Sequence, residues 1–290
     1  MIQQGPFAYG KWAFYCLETI EASKMSRQFI DQMQYSVDVS DKPVRIISLV
    51  PSLTELLFDL GLEDRIVGVT RYCVHPGRAR KEKMIVGGPK TLDFAAIDAL
   101  QPDLILGNKE ENYREGIERL QQQYPTWVCD IHNLDDALAM ITSVGQLTNK
   151  EHNADKIVND IRCKMARLAS GKTLRVAYFI WRKPYRVAAG NTFINEMLKL
   201  CGMENVFADL ERYPEITIEQ LKTAGPDLLL LSSEPFPFKD RHCQEFAELG
   251  VTASTRLVDG EMFCWTGSHL RLAADYFMAL NEEISARSRE

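Results

Sequence analysis

One feature constrains this chain more than any other: it carries the same pattern twice. Ile97 opens IDALQPDLILGNKEE and Ile218 opens IEQLKTAGPDLLLLSSEP. Each stretch reads as a short helix, a Pro-Asp turn, an apolar strand and an acidic residue at the strand's end. Upstream of the first lies RIISLV, from Arg45, with a helix ending at Leu60-Gly61. Upstream of the second lies RVAYFI, from Arg175, with a helix before Cys201-Gly202. The matching order predicts a duplicated α/β unit. Parallel strands need crossover helices, so each copy is expected to be a β-α-β lobe.

The local signals fill in both copies. Arg45–Val50 reads as a buried strand, and Ser52 with Glu55 reads as a capping box. Leu53, Leu56, Leu57 and Leu60 then share one helix face up to Gly61. Arg65–Thr70, Asp103–Gly107 and Thr126–Asp130 read as strands, with helices over Phe94–Leu100 and Tyr113–Tyr124. The rhythm breaks at Leu134–Leu147 and Lys150–Ala169, two helical segments with no strand signal. It resumes with strands at Arg175–Trp181, Asp227–Ser232 and Arg256–Val258. The helices of this half are Phe193–Leu200, Ile218–Thr223, Lys239–Leu249 and Leu270–Ser285. The expected fold class is α/β: two Rossmann-like lobes with parallel sheets, joined by a long backbone helix, with a ligand cleft between them. The division is 1–42 as an N-terminal extension, 43–133 and 172–290 as lobes, and 134–171 as the link.

Composition narrows the function. A net charge of −6 gives no electrostatic footprint for nucleic acid. No apolar run approaches the roughly 18 residues of a membrane helix, so no insertion is expected. Seven cysteines, with no CxxC pair, suit free thiols better than a disulfide framework. In Met1–Met25 the apolar patch Trp12–Leu17 is short and is followed by Glu18 and Glu21. This is no secretory signal, so a cytoplasmic protein is expected, with Met25 a candidate start. The hydrolase, phosphate-loop, zinc-protease and dinucleotide motifs are absent, which argues against an enzyme.

RIISLVPSLTELLFDLGLEDRIVGVTRYCVHP, LDFAAIDALQPDLIL, AAGNTFINEMLKLCGMENVFAD and YPEITIEQLKTAGPDLLLL resemble the helical-backbone (class III) substrate-binding proteins of ABC importers. These are iron-siderophore, haem and cobalamin receptors, and the cobalamin branch is closest in character. The resemblance spans about Pro43 to Leu280. It implies a protein that binds a metal chelate or tetrapyrrole-like ligand without catalysis and needs no cofactor, and a monomer is expected. A corrinoid is preferred, with haem or a ferric siderophore as alternatives. It also implies a permease partner, contacted through a glutamate on each lobe seven residues before the Pro of the Pro-Asp turn. That position is Glu219 in the second lobe and Ala95 in the first, which puts docking in doubt; Asp93 and Asp98 lie nearby as substitutes. The expected protein is therefore a cytosolic member of the family. One alternative is an exported receptor whose start is misassigned. Another is a metallochaperone or enzyme of corrinoid or haem metabolism using His75 and Cys73.

Large flat ligands need aromatic surface at the cleft rim. Tyr72, Trp181, Tyr185, Phe236, Phe238 and Trp265 follow predicted strands and are the candidate contacts. Arg182 is a candidate partner for propionates or phosphate, and Asn108 for ligand amides. His75 is the candidate axial ligand, and Cys73 and His269 are weaker metal candidates.

Overall fold

The computed structural model describes residues 26–168 and 174–287. The segment 1–25 with the candidate start Met25, and residues 169–173 at the end of the link, lie outside the described residues. A hairpin of β1 (Ser26–Ile30) and β2 (Ser36–Ser40) leads into the first lobe. There β3 (Ile46–Ser48), α1 (Pro51–Asp59), β4 (Ile66–Val69), α2 (Ala79–Glu82) and β5 (Met84–Ile85) follow in turn. Next come the two-residue strands β6 (Gly87–Gly88) and β7 (Thr91–Leu92). The lobe closes with α3 (Phe94–Leu100), β8 (Leu104–Asn108), α4 (Arg114–Gln121) and β9 (Thr126–Cys129). Its sheet runs β5-β4-β3-β8-β9, all parallel. The central strands β3 and β8 are buried at every residue, as near-continuous apolar runs covered on both faces should be.

The break in rhythm is two 15-residue helices, α5 (Leu134–Thr148) and α6 (Glu151–Met165), packed on each other. Asn149, at φ 57°, turns the chain between them, so the link is a helical pair and not a single long helix. In α6 the face Ala154, Ile157, Val158, Ile161 and Met165 is buried.

The second lobe has β10 (Leu174–Trp181), β11 (Arg186–Ala188), α7 (Phe193–Leu200), β12 (Met203–Asn205), α8 (Ile218–Ala224) and β13 (Leu228–Ser232). It ends with α9 (Asp240–Glu248), β14 (Ser254–Val258), α10 (Glu261–Cys264) and α11 (Leu270–Arg287). Its sheet runs β11-β10-β13-β14, with β12 also on β10. All its pairings are parallel except the β10–β11 hairpin.

The duplication holds at the level of single hydrogen bonds. In each lobe the Asp of the Pro-Asp turn accepts from the backbone N–H that starts the neighbouring strand: Asp103 from Arg45 at 2.8 Å, Asp227 from Arg175 at 3.0 Å. In each lobe that arginine donates back to the last carbonyls of the short helix, Leu100 in one and Ala224 with Gly225 in the other. Those helices end alike, on left-handed residues Gln101 and Gly225. The carbonyls at a helix end and the N–H at a strand's start both need partners, and the repeated Arg serves the first as the repeated Asp serves the second.

Two local readings change. The first turn of α1 is capped by backbone at Val50 with Pro51 at its first position, and no side chain closes a capping box. Ser52 is instead buried inside the turn, and Glu55 reaches His269. The hairpin at residues 26–40, which carried no strand reading in the sequence, covers the outer edge of the first sheet. Gln32 N–H donates to Val128 O, and Asp31 accepts from Val128 N–H. An uncovered edge would expose unpaired backbone groups.

Candidate ligand-binding cleft

The strands of both lobes point their carboxyl ends at one cleft. Its floor holds a cavity of about 70 Å³, walled by Ser52, Asn108, Glu110, Glu111 and His132 from the first lobe. Asn191, Thr192, Phe193, Tyr213, Cys264 and Thr266 wall it from the second. The space suits a few small groups.

Asn108 ends β8 and is buried. Its side-chain oxygen accepts from Glu110 N–H at 2.8 Å and Glu111 N–H at 3.1 Å, while its amide donates to Cys129 Sγ. Asn112 closes the same loop onto Asn108 N–H, Leu49 O and Pro89 O. The two asparagines thus fix the turn that presents Glu110 and Glu111. Asn108 has spent most of its hydrogen-bonding capacity on this loop.

On the other wall Thr192 caps α7, accepting from Asn195 N–H at 3.2 Å. Arg212 reaches across to form an ion pair with Glu110. Burial pushes the Tyr213 phenol far up, so it stays neutral. Burial, then Glu234, pushes the Glu111 carboxyl up, although solvent reaches it. Burial also raises Glu234, which accepts from Cys264 Sγ at 2.9 Å and Trp265 Nε1 at 3.1 Å and feels Glu261 and Asp259. The cavity's own carboxyl groups, Glu110 and Glu111, thus both come from the first lobe, Glu110 paired with Arg212 and Glu111 within reach of Glu234.

The predicted aromatics divide. Tyr72 and Trp181 are 59% and 40% exposed, each just at the carboxyl end of its strand. Tyr72 lies over Gly88, and Trp181 stands edge-on to Phe236 with centroids 5.8 Å apart. Phe236 passes the contact to Phe238, which is buried against His242. Trp265 is buried, with His75 and His269 against its ring. Tyr185 packs on Phe179 and Phe246 and donates to Glu245. Arg182 is spent on the same carboxylate, at 2.8 Å.

Burial alone would push Glu245 up, but the hydrogen bonds from Arg182 and Tyr185 outweigh it and hold the carboxyl low. A carboxyl held low adds stability above its ordinary pKa, about 4.3, and loses it as pH falls through the lowered value. Glu245→Gln should therefore flatten the acid limb of the melting temperature between about pH 5 and pH 3. An acid limb as steep as the native protein's would overturn the pairing.

Of the metal candidates His75 and His269 lie close, with ring centroids 5.9 Å apart, and Cys73 stands apart from them. Cys73 is fully buried, its thiol against Thr54 Oγ1 at 3.0 Å and Thr70 Oγ1 at 3.3 Å, and burial pushes its pKa up. His75 is half-exposed and faces Glu261, so the two part company despite lying two residues apart. Among the described residues no three His, Cys, Asp or Glu side chains form a metal-ligand set. The cysteines read as free thiols are unpaired among the described residues.

Glu219 is exposed in the first turn of α8, and Ala95 is exposed on α3. Neither nearby substitute is free: Asp93 caps α3 by accepting from Ala96 N–H, and Asp98 accepts from Tyr124.

Sequence reading found the loop at Asn108–Glu111 but missed Ser52, Asn191–Phe193, Tyr213 and Thr266. In sequence Ser52 reads as the cap of a capping box, and the structure closes none there. Asn191–Phe193 follow β11, a three-residue strand too short to show a period.

A family profile described as periplasmic binding protein matches residues 46–249. The chain belongs to that family. A protein of Vibrio parahaemolyticus named vitamin B12-binding protein is 30% identical over 204 residues, 68% of this chain and 74% of the relative. The crystal structure of the periplasmic vitamin B12-binding protein of Vibrio cholerae matches with a TM-score of 0.66 at 23% identity, covering 83% of this chain and 97% of that one. A periplasmic haem-binding protein from Pseudomonas aeruginosa matches with a TM-score of 0.72 at 20% identity, over 82% and 92%. These solved structures share the two-lobed α/β fold. Among the described residues no helix is long and apolar enough to cross a membrane.

Proposed function

We propose that this protein is the exported receptor of an ABC importer and binds a corrinoid across the mouth of the inter-lobe cleft, without catalysis. The acidic lining carries the choice of ligand. Haem and ferric siderophores bring carboxylates or other anionic groups to the protein. Glu110 is already paired with Arg212, and Glu111 beside it disfavours an incoming anion, since like charges at short range in a partly enclosed site are costly. The corrinoid rim presents primary amides, whose N–H groups these carboxylates accept. Tyr72 and Trp181 supply exposed ring surface for the flat macrocycle. Relatives named vitamin B12-binding protein support the same ligand class.

The family's periplasmic members favour export over the cytosolic reading. Docking on a permease would use Glu219; the first lobe offers Ala95 and would have to contribute a different contact.

A thermal-shift screen against cobalamin, cobinamide, haem and ferric siderophores tests the ligand. A ligand at a hundred times its Kd stabilises the fold by about 2.7 kcal/mol. Shifts with the two corrinoids alone are expected. A shift with haem or siderophore and none with corrinoids would overturn the reading.

A further inference from the structure

Four ionisable side chains form a chain that crosses between the lobes. Glu55 stands on α1 of the first lobe, and His269 precedes α11. Glu261 begins α10 of the second lobe, and His75 lies in the loop after β4 of the first. His269 Nδ1 lies 3.0 and 3.1 Å from the two Glu55 oxygens. Its Nε2 lies 3.9 Å from Glu261 Oε2 and has no hydrogen-bond partner among the described residues, although the side chain is only 5% exposed. His75 Nε2 sits 3.0 Å from that same Glu261 oxygen. Trp265 covers both imidazoles, with centroids at 5.4 and 5.1 Å. Beside this chain Arg271 pairs with Asp59, another link between α11 and α1.

The protonation state of His269 decides whether the chain holds. A neutral imidazole has one N–H, and Glu55 takes it at Nδ1. Nε2 then turns a lone pair towards the Glu261 carboxylate, which is repulsive. The imidazolium has two N–H groups, so His269 then sits as a cation between the Glu55 and Glu261 carboxylates, with His75 against the far side of Glu261. We propose that these four residues are a pH-dependent latch between the lobes, engaged while His269 is protonated and loosened as it loses its proton.

The groups facing His269 from every side are Glu55 on α1, Glu261 on α10, Asp259 before α10, and His75. Burial alone would lower an imidazole pKa. The Glu55 hydrogen bond and charge, with Glu261 and Asp259, outweigh it and raise His269 above the ordinary value. A raised histidine contributes its stability in full below about pH 6.5 and loses it as pH rises through the raised value. The latch is thus engaged in mild acid and loosens on the alkaline side.

The test uses the full-length, ligand-free protein. Histidine ring NMR gives the titration of His269, and amide hydrogen exchange reads residues 266–272 after correction for the intrinsic pH dependence of exchange. His269→Gln removes the central group but is buried and can fail to fold. Glu261→Gln keeps the shape and is the main variant. The native protein should titrate His269 above its ordinary value of about 6.5, and exchange at 266–272 should rise about tenfold across that titration. Glu261→Gln should lower the midpoint and remove the step. A flat exchange profile in the native protein, an equal step in Glu261→Gln, or a midpoint at or below 6.5 would each overturn the latch.

Discussion

Cobalamin should bind the Trp181→Ala protein more weakly by about 1–3 kcal/mol, and the Trp181→Ala/Tyr72→Ala protein by about the sum of the two single losses. Both rings are exposed, so neither is needed to fill a core. They stand on different lobes at the carboxyl ends of β10 and β4, which makes independent contributions the natural expectation. Phe236 backs Trp181 edge-on and holds the indole at the rim, so little rotamer freedom is lost when a ligand arrives. Tyr185→Phe is the contrasting case. It leaves the ring packed on Phe179 and Phe246, removes only the bond to Glu245, and should leave affinity unchanged. Isothermal titration calorimetry separates these outcomes. Native affinity in both alanine variants would remove Tyr72 and Trp181 from the site, and a loss in Tyr185→Phe would move the site deeper into the second lobe.

That division among the aromatics marks the limit of what could be read beforehand. The two-lobed α/β architecture was open to reading because the duplication constrains it twice, and elements such as Phe94–Leu100 and Phe193–Leu200 fall at their predicted limits. Proximity to a strand's carboxyl end was the rule used to choose binding residues. It selects one side of each sheet, but it cannot say which way a side chain points. Phe238 and Trp265 satisfy the rule as well as Tyr72 and Trp181 do, and both are buried, one on His242 and the other on Glu234. Arg182 looked free in sequence, and its partner Glu245 is 63 residues away on α9. Glu55 shows the same blindness. Its spacing from Ser52 suits a capping box, yet its partner His269 is 214 residues distant. Local pattern competes poorly with a long-range ion pair that only the folded chain brings together.

Gly190 shows where one small residue sets the geometry of the cleft, and Gly190→Ala should cost about 1–3 kcal/mol of stability, towards the upper end of that range. A Cβ there would lie 2.2 Å from Ala208 O and 2.9 Å from Leu210 O, and both are backbone atoms. The turn that carries them has no slack. Ala208 and Leu210 N–H groups donate to Asn205 O and Phe207 O. Asn205 is itself held by its amide donating to Ala188 O and Asn195 Oδ1. Gly190 also accepts from Arg212 N–H at 2.9 Å, so the strain passes directly to the arginine that pairs with Glu110 across the cleft. Asn191 and Thr192, the next two residues, wall the cavity. Stability and cobalamin affinity should therefore fall together in Gly190→Ala. Gly77→Ala is the control, because a Cβ there meets nothing closer than Val74 O at 3.9 Å. Thermal melts of both variants with and without cobalamin make the comparison. If Gly190→Ala melted like Gly77→Ala, the close approach of the 190 and 208 backbones would be refuted. If it lost stability but kept native affinity, Gly190 would shape the lobe without shaping the cleft.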